Sequence, residues 1–123
     1  MALARRRVVD GFTSGKLLRI FVDDNDRAGT TPLYAAIVEF LRQHGMAGAT
    51  VFRGIQGFGG HVVMHRAAAF AWMPNLPILI EVLDSDDNIA RILPELRALI
   101  PDGLIALEPI EFERLKTGAT PGR

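Results

Sequence analysis

The chain has 123 residues, of which 49% are hydrophobic and 23% are charged, as is ordinary for one globular domain. Its 14 basic and 14 acidic side chains cancel, so no overall field draws it to nucleic acid or to an anionic membrane. The chain has no cysteine, which excludes disulfides, thiolate metal sites and cysteine nucleophiles and suits a reducing cytoplasm.

The first half of the chain predicts one strand and one helix. A short apolar run from Leu17 to Val22 reads as the first strand, and the turn-forming cluster at 23–26 ends it. Thr31 is predicted to cap the first helix, and Gly45 is predicted to stop it. The side chains that recur at helical spacing within it are Leu33, Ile37, Phe40 and Leu41.

The second half predicts two more strands, a helix and a last strand. The strands are expected at 49–55 and 77–83, and the helix at about 86–99. Pro94 falls inside that helix, where it costs on the order of 3 kcal/mol, but the apolar periodicity continues past it. The final strand is predicted at about 104–112, where Pro109 favours an edge position or a bulge. The side chains predicted to face inward from the second helix are Ile89, Ile92, Leu93 and Leu96.

The order βαββαβ predicts an α+β fold of ferredoxin-like type, with two helices on one face of a four-stranded antiparallel sheet. Residues 16–116 are expected to form this domain, with flexible tails at 1–15 and 117–123. The predicted first and third strands carry apolar side chains on both faces. We therefore expect a homo-oligomer that buries the face without helices.

The long connection between the predicted second and third strands is the most unusual feature of the sequence. It runs from about 57 to 76, far beyond the 2–5 residues usual for a hairpin, and loops of this size are commonly functional. Its glycines could form an anion-binding nest, although a plain glycine-rich hairpin is the simpler reading. No Walker loop and no dinucleotide-binding context accompanies them.

Two further readings of this connection stay open. His61 and His65 have the spacing of two metal ligands on one helical face, but two ligands of four match a zinc site poorly. Phe70 and Trp72 are apolar where water is expected, which favours a lid or a contact with a partner. Ser14 and Ser85 have no histidine nearby in sequence and no nucleophile elbow, so hydrolytic or nucleophilic catalysis is not expected.

The segment GMAGATVFRGIQGFGGHVVMHRAAAF, followed by LPILIEVLDSDDNI, resembles the PII-like proteins of domain-of-unknown-function family 190. More remotely, it is similar to the nitrogen-regulatory PII signalling proteins. The resemblance covers Lys16 to about Phe112, and it reaches Gly118 if the tail RLKTG corresponds to the basic segment that ends PII proteins. It implies a homotrimer of ferredoxin-like subunits whose sheets pack around the axis.

The resemblance also implies a ligand site and a partner-binding loop. In PII proteins an adenine nucleotide binds between subunits, held by the base of the long T-loop, the turn before the last strand and basic residues of the C-terminal segment. The matching positions here are Gly57, Gly59, Gly60, Asp102, Gly103, Arg114 and Lys116. The loop residues that would meet a partner are His61, His65, Arg66, Phe70 and Trp72.

This chain departs from the PII pattern in three places. The turn before the last strand is reduced to 101–103, without the lysine and extra glycines that hold phosphates. Gly60 and His61 replace the glutamine and lysine expected after Gly-Phe-Gly, which argues against Mg-ATP and 2-oxoglutarate sensing. The only tyrosine, Tyr34, lies in the first predicted helix, so the loop offers no tyrosine for uridylylation.

The sequence therefore predicts a PII-like regulatory protein that needs no cofactor and has a possible adenine nucleotide effector. Its regulated target would be a membrane transporter, an ion channel or an enzyme. Nucleic acid binding and direct membrane insertion are not expected. The alternatives are a trimeric metal-binding protein that uses His61 and His65, and a structural adaptor without a small ligand.

Overall fold

The computed structural model describes residues 8–58 and 76–116 of the chain. Leaving aside the short β2–β3 hairpin, the elements follow the predicted order βαββαβ. The elements in chain order are β1 (Thr13–Asp23), β2 (Arg27–Ala28), β3 (Thr31–Pro32), α1 (Leu33–Gln43), β4 (Ala49–Arg53), β5 (Pro77–Ser85), α2 (Asp86–Leu99) and β6 (Leu104–Phe112).

Four of the strands form one antiparallel sheet in the order β4-β5-β1-β6. The first strand of the chain therefore lies between two strands that come much later in the sequence. β6 is an edge strand, which confirms the position predicted from Pro109, because proline has no N–H to give to a further strand. This arrangement confirms the ferredoxin-like fold.

β1 begins at Thr13, whereas the sequence predicted a strand from Leu17 and a loose end before it. Ser14 and Gly15 are not favoured in strands, but this segment is held by pairing along β6, and Gly15 also pairs with β5. The other differences are small. β4 ends at Arg53 rather than at Ile55, and β5 continues to Ser85.

The hydrophobic core lies between the sheet and the two helices. β1 contributes Leu18, Ile20 and Val22, and β5 contributes Ile78, Ile80 and Val82, which are all buried as their alternation predicted. The helices complete the core with Leu33, Ile37, Leu41, Ile89, Ile92 and Leu96. Phe40 and Leu93, which were also predicted to face inward, are only partly buried and pack at its border.

The ends of the helices differ in how well the sequence predicted them. The cap at Thr31 is wrong: Pro32 occupies the N-cap without a side-chain bond, and the Leu33 N–H donates to the Asp26 carbonyl at 2.7 Å. Gly45 ends α1 as predicted, with a φ of 75° that favours glycine. The Gly45 N–H donates to Arg42 and the Met46 N–H to Leu41, at 3.2 and 3.1 Å, a Schellman motif.

α2 runs from Asp86 to Leu99 as predicted and continues through Pro94. Ser85 is its N-cap, and the Ser85 side chain accepts from the Asn88 N–H at 3.3 Å. Both helices pack against β1 and β5 on one face of the sheet. The opposite face of the sheet carries no helix among the described residues.

Candidate functional site

The face of the sheet that the helices leave uncovered, called the open face below, is crossed by a continuous apolar row. Its four members lie opposite one another in register on the four strands: Phe52, Leu79, Phe21 and Leu104. Three of them keep substantial exposure in the isolated chain, at 47% for Phe52, 37% for Phe21 and 62% for Leu104. Large exposed apolar patches on a soluble protein mark interaction surfaces.

The next row of the open face is charged. Arg19 on β1 donates from Nε to Glu81 on β5 at 3.1 Å and from an η nitrogen to Glu108 on β6 at 2.8 Å. These two hydrogen bonds raise the pKa of Arg19 above its usual value, with the bond to Glu108 the larger cause. Leu17 and Leu83 form an apolar pair in the following row, which continues into Glu108 on β6. The open face is thus apolar with one charge-paired band across it.

The base of the long connection, at the end of β4 and the start of β5, is closed by both backbone and side chains. The Gly54 N–H donates to the Pro77 carbonyl at 2.8 Å. Asp24, in the turn after β1, accepts from Arg53 at 2.8 Å and from the Leu76 N–H at 3.3 Å. A Cβ at Gly54 would lie 2.6 Å from the Pro77 ring, so only glycine fits beside that proline without a shift.

The ligand residues predicted near this base lie at one end of the sheet. Gly57 is beside Pro77, since a Cβ there would lie 3.1 Å from the proline ring. Gly103 is packed against the end of β1, where a Cβ would lie 2.8 Å from the Phe21 carbonyl oxygen. Asp102 precedes Gly103 on the exposed turn into β6. Each of these three residues is therefore near the C-terminal end of β1.

Arg114 and Lys116 lie at the opposite end of the sheet, beyond the last residue of β6. Phe21 pairs with Leu104 and Thr13 with Phe112, so the two ends are eight residues of β1 apart, or about 27 Å at ~3.4 Å per residue. Within one chain, no single small ligand can bridge this distance. The predicted residues thus form two separate half-sites.

Arg114 borders a groove of about 510 Å³ on the open face. Its guanidinium donates to the Ala47 carbonyl at 3.4 Å. The apolar lining of the groove comes from Leu17, Leu83 and Phe112, and Glu81 contributes a carboxylate. The volume is within the range of small-molecule sites, and the mixture of apolar and charged groups suits a ligand with a ring and an anionic group. Apart from Arg114, the sequence did not predict the groove.

Several predicted residues lie outside the described residues: Gly59, Gly60, His61, His65, Arg66, Phe70 and Trp72. Their placement stays a prediction, and so does metal binding by the two histidines. Within residues 8–58 and 76–116, no three or more His, Asp or Glu side chains come together as a metal site would require. No helix in these ranges has the length and apolar character to cross a bilayer.

One buried carboxylate lies at the border of the groove. Asp84, 6% exposed, accepts from the N–H groups of Ala47 and Ser85 at 2.8 and 2.7 Å and from the Asn88 side chain at 2.9 Å. Burial raises the pKa of Asp84, but these hydrogen bonds together outweigh it and hold the pKa below its usual value. Through Ala47, Asp84 fixes the segment that lines the groove.

Comparison with known proteins identifies relatives at the level of sequence. The model of the family DUF190, described as "Uncharacterized ACR", matches residues 15–112. A UPF0166 protein of Aquifex aeolicus is 35% identical over 96 residues, which is 78% of this chain and 90% of the relative. A UPF0166 protein of Methanocaldococcus jannaschii is 37% identical over 93 residues, 75% of this chain and 85% of the relative.

Solved structures share the fold at lower identity. CPII from Thiomonas intermedia K12, in a structure with ADP, AMP and acetate, is 15% identical with a TM-score of 0.60. The match covers 84% of this chain and 92% of CPII. Another structure of CPII, described as a nitrogen regulatory PII-like protein, holds ADP, AMP and bicarbonate and has a TM-score of 0.58. At such identity these structures support the fold.

Proposed function

The chain belongs to the DUF190 family, and from this membership and the PII-like fold we propose that it is a non-enzymatic regulatory protein. It would bind a small anionic effector, such as an adenine nucleotide, between the subunits of a homotrimer. It would act on a partner protein through the connection at 57–76. A cytoplasmic location stays a prediction from the cysteine-free sequence.

The open face supports self-association. A row of apolar side chains crosses all four strands, and the only charged row beside it, among the described residues, is already paired through Arg19. Such a face can be buried against another copy without leaving an unpaired cation. A closed trimer would cover the face in every subunit through the same contacts.

The observation that carries the proposed site is the separation of the two half-sites. Gly57, Asp102 and Gly103 are separated from Arg114 and Lys116 by about 27 Å along β1, from the rise per strand residue. One ligand can therefore reach both sets only where one end of a subunit meets the other end of its neighbour. Glycine N–H groups from one subunit and two cations from the other would together suit a phosphate.

The proposed mechanism is a change in the long connection on effector binding. A ligand held at Gly57 would restrict the segment that follows it and so alter its affinity for a partner, a coupling of typically ~1–3 kcal/mol. CPII is bound to ADP and AMP in two of its structures. The turn at 101–103 lacks the lysine and extra glycines that hold phosphates in PII proteins, which favours a mono- or diphosphate over Mg-ATP. The partner would be a transporter, an ion channel or an enzyme.

Calorimetry and thermal shift with AMP, ADP, ATP and cyclic nucleotides test this proposal. The double variant Arg114→Ala, Lys116→Ala should lose saturable binding, whereas Arg42→Ala, Arg97→Ala removes the same charge from the exposed helices and should keep it. Divalent metals, tested on the parent and on His61→Ala, His65→Ala, form a separate arm. If the parent binds metal stoichiometrically, the variants lose this binding, and no nucleotide binds, then the protein is a metal-binding protein and not an effector-binding one. No response to any ligand would leave a structural adaptor.

A further inference from the structure

The two ends of the long connection converge on one carboxylate. Arg53, the last residue of β4, donates to Oδ2 of Asp24 at 2.8 Å. Leu76, which precedes the first residue of β5, donates its N–H to Oδ1 of the same side chain at 3.3 Å. The backbone completes the link, because the Asp24 N–H donates to the Leu76 carbonyl at 3.1 Å. Residues that are far apart in sequence therefore meet at Asp24.

We propose that Asp24 is the positioning residue for the base of the long connection, which in the structure is residues 54–76 between β4 and β5. Asp24 sets where both ends of this connection leave the sheet. This role depends on the contacts of Asp24 with Arg53 and Leu76 and is separate from the proposed effector binding. Through these contacts, Asp24 fixes the direction in which the chain leaves β4 and the direction in which it enters β5.

Burial separates this cluster from an ordinary surface ion pair. The Asp24 side chain is only 13% exposed, whereas that of Arg53 is 50% exposed. A carboxylate that is largely removed from water needs its hydrogen-bond partners, so losing them would be costly. Exposed pairs such as Arg42 with Glu39 on α1, at 71% and 50% exposure, are held only weakly.

The turn that carries Asp24 does not depend on the Asp24 side chain. Asp26 closes this turn: its carboxylate accepts from the Asp23 N–H at 2.9 Å, and its own N–H donates to the Asp23 carbonyl at 3.1 Å. Asp26 also connects the turn to α1, since its carbonyl accepts from the Leu33 N–H. The two acids thus have different roles: Asp26 shapes the turn and Asp24 attaches the connection to it.

Arg53 carries the same link to the first helix. Its guanidinium carbon lies 6.0 Å from the ring centroid of Tyr34, in the first turn of α1, in a cation–π arrangement. The base of the connection is therefore attached both to the turn after β1 and to α1. A displacement of either end would break contacts with β1, with α1, or with both.

Amide hydrogen exchange by NMR on the full chain tests the inference. In Asp24→Ala, the Leu76 and Gly54 amides should exchange at least about tenfold faster than in the parent, because opening the base no longer breaks the contacts of Asp24. The Ile20 and Ile80 amides, in the middle of the sheet, report global unfolding and serve as the internal reference. Glu39→Gln removes an exposed ion pair elsewhere and should leave all four amides unchanged.

Asp24→Asn separates the two contacts. Its amide oxygen can still accept from Leu76, while its NH₂ group cannot accept from Arg53, so Leu76 protection should recover in part. Arg53→Met should loosen Gly54 more than Leu76, and it tests the inference if Asp24→Ala does not fold. Two results would show that Asp24 does not position the base. The Leu76 amide could exchange faster only by the same factor as the Ile20 and Ile80 amides, or exchange could stay unchanged in every variant.

Discussion

Arg19 on β1 donates to Glu81 on β5 on the open face, in the row next to the apolar row that contains Phe21 and Leu79. Glu108 accepts from the other side of the same guanidinium. If Arg19 is replaced by Met, these two carboxylates face each other across β1 with no cation between them. We therefore expect Arg19→Met to weaken the proposed trimer. The protein concentration at which it dissociates, measured by light scattering, should rise several-fold.

A charge-matched rescue shows whether repulsion is the cause. In the background of Arg19→Met, Glu81→Gln and Glu108→Gln should restore association toward that of the parent, because the like charges are removed. A variant Arg19→Met that stays as associated as the parent at every dilution would mean that the open face is not the contact surface.

The apolar row predicts a stronger effect. Phe21 lies at the centre of this row, between Leu79 and Leu104, and Phe21→Glu would place a charge inside the proposed interface. We expect the Phe21→Glu variant to be monomeric, as measured by size-exclusion chromatography with light scattering. Leu107→Glu is the matched control, because Leu107 is 45% exposed but lies opposite the core residue Leu18, on the helix side of the sheet. Equal dissociation in both variants would contradict a specific role of the open face.

The buried Asp84 predicts a loss of stability in acid. Its folded-state pKa lies below the ordinary value of 3.8, so its contribution is present above that pH and is lost as the pH falls through the folded-state value. In Asp84→Asn, the free energy of unfolding should therefore fall less steeply at acid pH than in the parent. Urea unfolding at pH values between 7 and 3 measures this dependence.

The same substitution also has an effect at neutral pH. Asn turns an NH₂ group toward backbone N–H groups that now meet a carboxylate, which costs about 1–3 kcal/mol of the free energy of unfolding. Asp87→Asn, an exposed change in the first turn of α2, is the control and should lower the free energy of unfolding by less than about 1 kcal/mol, from the lost interaction with the helix dipole. If Asp84→Asn has the same stability and acid transition as the parent, the hydrogen bonds of Asp84 contribute little.

Gly15 predicts a packing defect. A Cβ at this position would lie 2.3 Å from the Asp84 carbonyl oxygen and 2.5 Å from the Phe112 ring. Gly15→Ala must therefore push β5 or β6 away from β1, a distortion of the kind that costs about 1–3 kcal/mol. Urea unfolding measures the loss, and Gly48→Ala, whose Cβ would meet nothing within 4 Å, is the control. No difference between the two variants would show that the sheet accommodates the extra atom.

The fold could be predicted because its elements are local. The alternation that places Leu18 and Ile80 inward, the helical spacing around Ile92 and the glycine at Gly45 each depend on neighbours within a few residues. The start of β1 could not be predicted in this way. Gly15 enters the sheet because strands from far along the chain lie on both sides of it, and its local sequence carries no sign of them.

The candidate site was predicted through resemblance rather than through pattern. Arg114 borders a groove that the sequence did not predict, and the separation of Arg114 from Gly57 and Gly103 is a property of the sheet topology. The role of Asp24 was hidden for a similar reason. In the sequence it is one of several acids in a turn-forming cluster, and only the fold brings Arg53 and Leu76 to its two oxygens.

The central place of β1 also shapes how the chain folds. β1 is synthesised well before its partners in the sheet, because Gly15 pairs with Ser85 and Thr13 with Phe112. Pairings over such sequence separations close large loops before any contact stabilises them, which slows folding. A nascent chain that ends before β6 leaves one edge of β1 without its partner and open to other strands. Completion of the last strand is thus the step that protects the newly made protein from association through that edge.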